Sequence, residues 1–171
     1  MQALGLVWGD HHAVNANLRE VRAPIGEPTQ YGAKLLLEQW RARTDTSLGF
    51  VVGRDVPSRA LAPILRSLAI YEPLESMKDF RIRLAGTAFV RRFGRDVTGA
   101  RLSDLYAPEA WETQCRALAS VVESGSPNVG DVKITRDNRV YIRFESLSLP
   151  VLSPDSKDIW VMSGIFYFDW A

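Results

Sequence analysis

The sequence predicts an α+β fold in which one five-stranded antiparallel sheet carries helices on one face. The first observation is the strict alternation of apolar and arginine residues over 80–84, which is the period of a strand with one buried face. The second is a change to helical spacing in the residues that follow. The third is a return to strand patterns between 132 and 170. Two strands, then helices, then three strands favour a single sheet covered on one side.

The segment 79–106 is expected to lead from a strand directly onto the helices that cover the sheet. Its strand would bury Phe80, Ile82 and Leu84 on one face. The spacing then turns helical, and Gly94 ends the first helical segment. The apolar residues of the two short helical segments are Phe89, Val90, Phe93, Leu102 and Leu105.

Local patterns predict the remaining elements. Residues 68–74 read as a strand that Pro73 either ends or places at a sheet edge. Residues 108–125 form the longest helix, with Pro108 in its first turn and Gly125 as its stop. Strands are expected around 132–135, over 140–149 and over 159–170, with a turn at 137–138 between the first two. The last strand is apolar on both faces, which is typical of a central strand.

The chain is expected to divide into an irregular arm (1–30), a helical extension (31–66) and the main domain (67–171). A helix over 34–43 carries an apolar stripe, which would dock on the outer face of the sheet or on a second copy. The interface candidates on this stripe are Leu36, Leu37 and Trp40. Asp10, His11 and His12 lie in the arm. Because neighbouring side chains diverge, a chance surface cluster is favoured there over a metal site.

Composition describes an ordinary globular protein, with 46% hydrophobic and 24% charged residues. The net charge of +1 argues neither for nucleic acid nor for an anionic membrane, and we expect neither as a partner. No stretch approaches the roughly 20 apolar residues of a membrane helix, and the N-terminus lacks a secretory signal pattern. One cysteine excludes an internal disulfide. We therefore expect a cytoplasmic protein.

Residues 80–106, FRIRLAGTAFVRRFGRDVTGARLSDLY, resemble the PAS sensory domain, and within it a family of short PAS-like proteins common in alphaproteobacteria. They are similar to that family's aromatic-Arg strand, Arg-Leu-Ala-Gly-Thr turn, helix ending in Phe-Gly-Arg, and following Thr-Gly and Leu. The similarity extends over about 34–170. It implies a five-stranded antiparallel sheet whose helices enclose a small cavity, and signalling rather than catalysis, although a fold alone does not fix function.

A sensing cavity of this kind would lie between the sheet and its helices. The candidate lining residues are Leu84, Thr87, Phe89, Val90, Phe93, Leu102, Leu105, Trp111, Cys115, Ile134, Ile142 and Phe144. The alternative is that these side chains simply fill a core. The polar groups available to a pocket are Thr87, Tyr141, Arg143, Glu145 and Ser163. Since Arg143 and Glu145 share a strand face, we expect them to pair with each other.

The residue types disfavour the familiar cofactors and catalytic sites. Haem needs an axial ligand such as histidine, and the only two histidines lie in the arm. Covalent flavin needs a reactive cysteine, whereas Cys115 lies on the apolar seam of a helix, where a buried, inert thiol is expected. The cofactor, if there is one, stays unknown. No histidine accompanies a candidate nucleophile, so we expect no enzymatic activity.

The sequence therefore favours a stand-alone PAS-like sensory or regulatory domain. The chain ends directly after the last predicted strand, so we expect it to act through a small-molecule ligand and through a protein partner or its own homodimer. Two alternatives stay open. One is an interaction module with a filled core. The other is a binder of an anionic nucleotide that uses an arginine-rich surface: Arg81, Arg83, Arg91, Arg92 and Arg95.

Overall fold

The computed structural model describes residues 18–46 and 49–168. The strands, in chain order, are β1 Leu18–Pro24, β2 Leu68–Leu74, β3 Asp79–Ala85, β4 Asn128–Arg136, β5 Arg139–Leu152 and β6 Ile159–Tyr167. The helices are α1 Tyr31–Thr46, α2 Thr87–Phe93, α3 Leu102–Leu105 and α4 Pro108–Ser124. Short 3-10 helices cover Ala62–Ser67 and Glu75–Met77. The predicted cluster Asp10, His11 and His12 lies outside the described residues.

All described strand pairs are antiparallel, and the sheet order is β1-β4-β5-β6-β2-β3. The α+β class and the antiparallel sheet are confirmed, but the part of the sheet formed by the described residues has six strands rather than the five predicted. The extra strand is β1, which pairs with β4 in a part of the chain that was expected to be irregular. The strand escaped prediction because the residues that it turns toward the helices are Glu20 and Arg22, so it has no apolar alternation.

Two hydrophobic cores lie on opposite faces of the sheet. The inner core lies between the sheet and α2, α3 and α4, as predicted for the covered face. The outer core lies between the sheet, α1 and the 3-10 helix Ala62–Ser67. The helical extension therefore docks on the outer face of the sheet, one of the two positions expected for it.

A β-bulge changes the side-chain alternation of β3. Ile82 pairs with Tyr71 and Leu84 pairs with Ile70, so that Arg83 is an additional residue in β3. Phe80 and Ile82 pack in the inner core as predicted, whereas Leu84 packs against the outer core. The prediction that Leu84 shares their face is wrong for this reason.

β2 lies inside the sheet rather than at its edge. Its pairing with β6 extends only from Leu68 to Tyr71, and beyond that point β2 pairs with β3 alone. Pro73 lies in this second half, where a missing backbone N–H removes no bond to β6. The proline thus ends one pairing without ending the strand.

Phe166 of β6 docks α1 by inserting its ring between two glycines. A methyl group at Gly32 of α1 would lie 2.5 Å from the ring, and so would one at Gly164 of β6. Both distances are too short for real carbon contacts. The two glycines therefore let the helix and the strand approach the two sides of one aromatic ring.

Gly86 permits a second close approach, between the start of α2 and the 3-10 helix Ala62–Ser67. Its N–H donates to Leu68 O at 2.8 Å. A Cβ at this position would lie 2.6 Å from Leu65 O and would also overlap the carbonyl group of Arg66. These are backbone atoms, which cannot rotate away as a flexible side chain does.

We expect Gly86→Ala to lower the free energy of unfolding by about 1–3 kcal/mol, because the new methyl group must push two backbone segments apart. Gly26→Ala is the matched control, since nothing lies within 4 Å of a Cβ there. Urea denaturation followed by circular dichroism measures both variants. Equal stability of the two variants would contradict the close approach.

Candidate functional site

Most of the predicted cavity residues pack against one another in the inner core. Each of the following is at most 5% exposed: Phe89, Phe93, Leu102, Leu105, Cys115, Ile134 and Phe144. The Phe93 ring meets the Tyr106 ring edge-on, with 5.9 Å between their centroids. The residues that the sequence grouped as cavity candidates thus pack together, and their side chains fill much of the space beneath the helices.

The other cavity candidates lie elsewhere. Thr87 is exposed in the first turn of α2, and Val90 is half-buried. Trp111 and Ile142 are half-buried at the margin of the inner core. Leu84, as described above, packs against the outer core.

A partly buried group of polar side chains lies at the β1 side of the inner core, and we call it the arginine cluster: Glu20, Arg22, Tyr71, Arg92 and Tyr106. Arg22 extends from β1 across β4, where a Cβ on Gly130 would lie 2.9 Å from its Nε. Its Nη2 donates to Ser146 Oγ on β5 at 2.8 Å. The glycine in β4 therefore leaves room for an arginine to cross one strand and reach the next.

Arg92 enters the same cluster from α2. Its side chain is only 9% exposed, and its Nη2 lies 3.3 Å from Glu20 Oε2. The guanidinium also lies 5.1 Å from the centroid of the Phe144 ring and 5.7 Å from that of Phe93. One carboxylate of β1 and two aromatic faces thus hold a cation inside the inner core.

Electrostatics within the cluster follow from its burial. Burial lowers the pKa of the Arg22 guanidinium; Glu20 acts in the opposite direction, while Arg92 lowers the pKa further. Burial raises the pKa of both Tyr71 and Tyr106. Both phenols therefore stay protonated at neutral pH and keep a hydroxyl group for hydrogen bonding.

Sequence reasoning missed the arginine cluster because two of its five residues, Glu20 and Arg22, belong to β1. Arg92 was considered only as part of an exposed basic surface. In the structure Arg83, Arg91 and Arg95 are exposed, and Arg83 lies 3.5 Å from Glu72. The sequence did contain one signal for the cluster, namely the small residues Gly130 and Ser146 at inward strand positions, which leave room for a long side chain. This signal can be recognised only when the strand register is known.

Asp79 is a buried carboxylate that joins β3 to α3 and α4. It is 4% exposed. It accepts hydrogen bonds from Phe80 N at 2.9 Å, Ser103 Oγ at 2.6 Å and Trp111 Nε1 at 3.1 Å. Arg101 Nε lies 3.4 Å from Asp79 Oδ2, the same oxygen that accepts from Ser103 Oγ. Burial by itself raises the pKa of Asp79, but the hydrogen bonds from Ser103, Phe80 and Trp111 outweigh it and the pKa is lowered.

Glu145 is a second buried carboxylate, on the opposite face, and it holds the start of α1. It is 0% exposed. It accepts hydrogen bonds from Thr29 N at 2.9 Å, Thr29 Oγ1 at 2.8 Å and Gln30 N at 3.0 Å. The positive end of the helix dipole favours a carboxylate at this place. β5 thus caps α1 through a side chain that lies more than a hundred residues away in sequence.

The predicted pairing of Arg143 with Glu145 is wrong. Arg143 pairs with Asp131 of β4, with 2.7 Å between its Nη2 and Asp131 Oδ2. The two carboxylates differ in how accessible they are to the Arg143 guanidinium. Asp131 pairs with Glu145 across the two strands and is half-buried, whereas Glu145 is buried beneath α1. By pairing with Asp131, the Arg143 guanidinium keeps more of its hydration than it would beside the buried Glu145.

The predicted interface stripe on α1 faces its own sheet. Leu36 is 0% exposed and Leu37 is 3% exposed, both in the outer core. Trp40 is half-buried, and its Nε1 donates to Pro150 O at 2.9 Å. The apolar face of α1 is therefore occupied within the chain, and a second copy would have to meet other residues of the helix.

A shallow groove of about 330 Å³ lies between α4 and the turn that precedes β3. It is lined by Met77, Lys78, Trp111, Glu112, Cys115, Arg116 and Ala119. Burial raises the pKa of the Cys115 thiol to about 11, so the thiol is protonated and unreactive at neutral pH, as expected. The neighbouring turn is left-handed at three successive non-glycine residues, Glu75, Ser76 and Met77, with φ of 50°, 57° and 67°.

Across 18–46 and 49–168, no group of three or more His, Cys, Asp or Glu side chains lies close enough together to hold a metal ion. No helix in these same ranges combines the length and the apolar character needed to cross a membrane.

Comparison with known proteins gives one match. A family model described as PAS domain matches residues 33–166, more than three quarters of the chain. Neither the curated proteins nor the solved structures contain a significant match.

We expect Asp79→Asn to cost about 1.5–3 kcal/mol at pH 7, because an amide cannot replace the charged acceptor for its donors. The pKa of Asp79 is lower in the folded than in the unfolded chain. Its contribution is therefore complete above the unfolded pKa of about 3.9 and is lost as the pH falls through the folded value. Urea denaturation of wild type and variant between pH 7 and pH 3 should show the gap closing below about pH 4. A gap that is constant with pH would contradict this account.

Glu145→Gln should release the start of α1 while leaving α4 in place. Glutamine has one acceptor oxygen for three donors and turns its own N–H groups toward them, which costs about 2 kcal/mol. Hydrogen exchange followed by mass spectrometry should show that the variant increases the exchange rate, relative to wild type, more in 31–46 than in 108–124. If α1 keeps its wild-type protection, the carboxylate is not what holds the helix.

Proposed function

The chain belongs to the PAS domain family, a family of sensory and regulatory signalling domains, and from that premise we propose that it regulates a protein partner by controlling how α1 docks on the sheet. In this proposal a change in the inner core is the input, and the position of α1 is the output. Packing carries the signal, and no catalysis is involved.

The observation that carries the proposal is that neighbouring residues of the central strands belong to opposite cores. In β5, Phe144 packs in the inner core and the next residue, Glu145, holds the start of α1. In β6, Ile165 packs in the inner core and the next residue, Phe166, inserts between the two glycines that dock α1. The two strands on which α1 rests are thus also the floor of the inner core.

This arrangement supports coupling because close-packed layers do not deform freely. A shift of β5 or β6 that accommodates a change near α2 moves the backbone that aims Glu145 and Phe166. Hydrogen bonds to a buried carboxylate depend steeply on geometry. A small displacement on the inner face therefore changes the free energy of α1 docking, which is the requirement for a two-state regulatory element.

A second candidate function is that of an interaction module that needs no ligand. The dense packing of the predicted cavity residues favours it, and the groove on α4 offers it a surface with exposed polar groups. The two candidates differ in two measurable properties: only the sensory domain is stabilised by a small molecule that binds the folded state, and only the sensory domain couples the inner core to α1.

Coupling between the cores can be measured with two identical substitutions. Ile165→Val in β6 and Ile82→Val in β3 each remove one buried methyl group from the inner core, at a cost of about 0.5–1.5 kcal/mol. We expect Ile165→Val to accelerate hydrogen exchange in α1, because β6 also supports that helix. Ile82→Val is the control, since β3 lies at the far edge of the sheet.

Exchange rates are compared after correction for the measured global stability of each variant. An equal effect of the two substitutions on α1 would refute coupling through β6, and the interaction module would then be the better description.

A further inference from the structure

The two edges of the sheet differ in how their backbone groups are satisfied. At the β3 edge the segment 97–101 runs alongside the strand: Ile82 N donates to Ala100 O at 2.9 Å, and Gly99 N donates to Ile82 O at 2.7 Å. At the opposite edge β1 ends the strand order, and no strand within 18–46 and 49–168 pairs with its outer side. An uncovered edge of this kind is a template for a further strand.

The backbone groups that β1 turns outward belong to its even-numbered residues. Just beyond the strand, Ile25 N donates to Val129 O at 3.1 Å, which continues the β1–β4 register by one pair. Because hydrogen-bonded and non-hydrogen-bonded pairs alternate in an antiparallel ladder, Ala23 and Val21 also bond to β4. The residues whose backbone groups point away from β4 are therefore Leu18, Glu20, Arg22 and Pro24. A proline suits this outward position, since it has no N–H to leave unpaired.

The side chains near the middle of β1 suit a second copy of the same strand. Val21 is 52% exposed, an unusual fraction for a large apolar residue on a strand. Glu20 and Arg22 flank it on the other face of the sheet and carry opposite charges. Two identical antiparallel strands are related by a twofold axis, so the residue on the axis meets its own copy.

Only one register of such a pair brings opposite charges together. Three registers pair most of the seven residues of β1 through its outward backbone groups. With Val21 on the axis, Glu20 of each copy lies opposite Arg22 of the other, and the two valine side chains meet. The other two registers place glutamate opposite glutamate or arginine opposite arginine, which is destabilising. The strand is thus self-complementary about Val21.

We propose that two copies of the chain form a homodimer by antiparallel pairing of their β1 strands about Val21, which joins the two sheets into one continuous sheet. In this dimer Glu20 and Arg22 exchange backbone hydrogen bonds across the interface, and the Leu18 N–H donates to Pro24 O at each end. Backbone bonds carry the affinity. The charges select the register over a longer distance, because Glu20 keeps its contact with Arg92 and Arg22 keeps its hydrogen bond to Ser146.

The proposed interface goes beyond the regulatory proposal and does not depend on it. β1 precedes the residues 33–166 that match the PAS family model, so the interface belongs to a part of the chain outside that match. It also lies away from Leu36 and Leu37, whose side chains are buried against the sheet of their own chain.

Sedimentation velocity of the full chain from about 1 to about 500 µM measures self-association, and we expect a reversible equilibrium between monomer and dimer. Val21→Lys places two ammonium groups opposite each other on the axis and should raise the Kd of the dimer at least about tenfold. Val140→Lys is the matched control, because Val140 is a similarly exposed valine, 42% exposed, on β5 rather than on the edge strand. It should leave the Kd unchanged.

Cysteine substitution tests the register and does not require the interface to be disrupted. The two Cα atoms of a non-hydrogen-bonded pair lie about 4.5 Å apart, within the range that a disulfide spans. Val21→Cys should therefore form an intermolecular disulfide under mild oxidation with oxidised glutathione. Ala23→Cys is the control on the same strand and face, since its two copies would lie about 14 Å apart. Wild type, which contains Cys115, gives the background.

Three results would refute pairing about Val21: equal effects of Val21→Lys and Val140→Lys on the Kd, equal cross-linking of Val21→Cys and Ala23→Cys, and a chain that stays monomeric at about 500 µM. In a monomer, slow hydrogen exchange of the Glu20 and Arg22 amides would show that another segment of the same chain covers the edge. The regulatory proposal is decided separately, by the Ile165 and Ile82 variants.

Discussion

The buried carboxylate of Glu145 is the constraint on which the outer half of this structure depends. A charge with no exposed surface must be neutralised by its immediate surroundings, and here backbone N–H groups at the start of α1 do so. Helix and carboxylate need each other. If α1 lifted, Glu145 would lose the donors at Thr29 and Gln30, and the apolar residues of the outer core would be exposed to water. Docking of α1 is therefore coupled to the arrangement of β5 and is not an independent equilibrium.

Asp79 repeats this principle on the inner face. Its carboxylate gathers donors from β3, α3 and α4, just as Glu145 gathers donors from the segment before α1. The two sites differ in what they fasten: Asp79 holds the helical cover of the inner core, and Glu145 holds the cover of the outer core. Each helical layer is thus attached to the sheet by one polar anchor with well-defined geometry, while apolar contacts supply most of the buried area.

Much of the fold could be predicted from the sequence, because alternation and turn chemistry are local signals. The strands around Phe80 and Phe144, the helix that starts at Pro108, and the cluster of inner-core residues all followed from them. What could not be predicted depends on pairing partners distant in sequence. β1 turns charged residues inward, the bulge moves Leu84 to the other face, and Glu145 finds its donors at Thr29 and Gln30. None of these features changes the local pattern by which strands and helices are identified.

The confinement of Phe166 between Gly32 and Gly164 has a consequence for dynamics. A phenyl ring needs extra volume beside it to rotate by half a turn, and glycines leave that volume filled by the helix and the strand backbones themselves. Because these two backbones flank the ring, we expect a half-turn of the ring to be coupled to a displacement of α1 from β6. The flip rate of the Phe166 ring would then report how often α1 moves away from β6. This rate would be much lower than that of an ordinary surface aromatic ring.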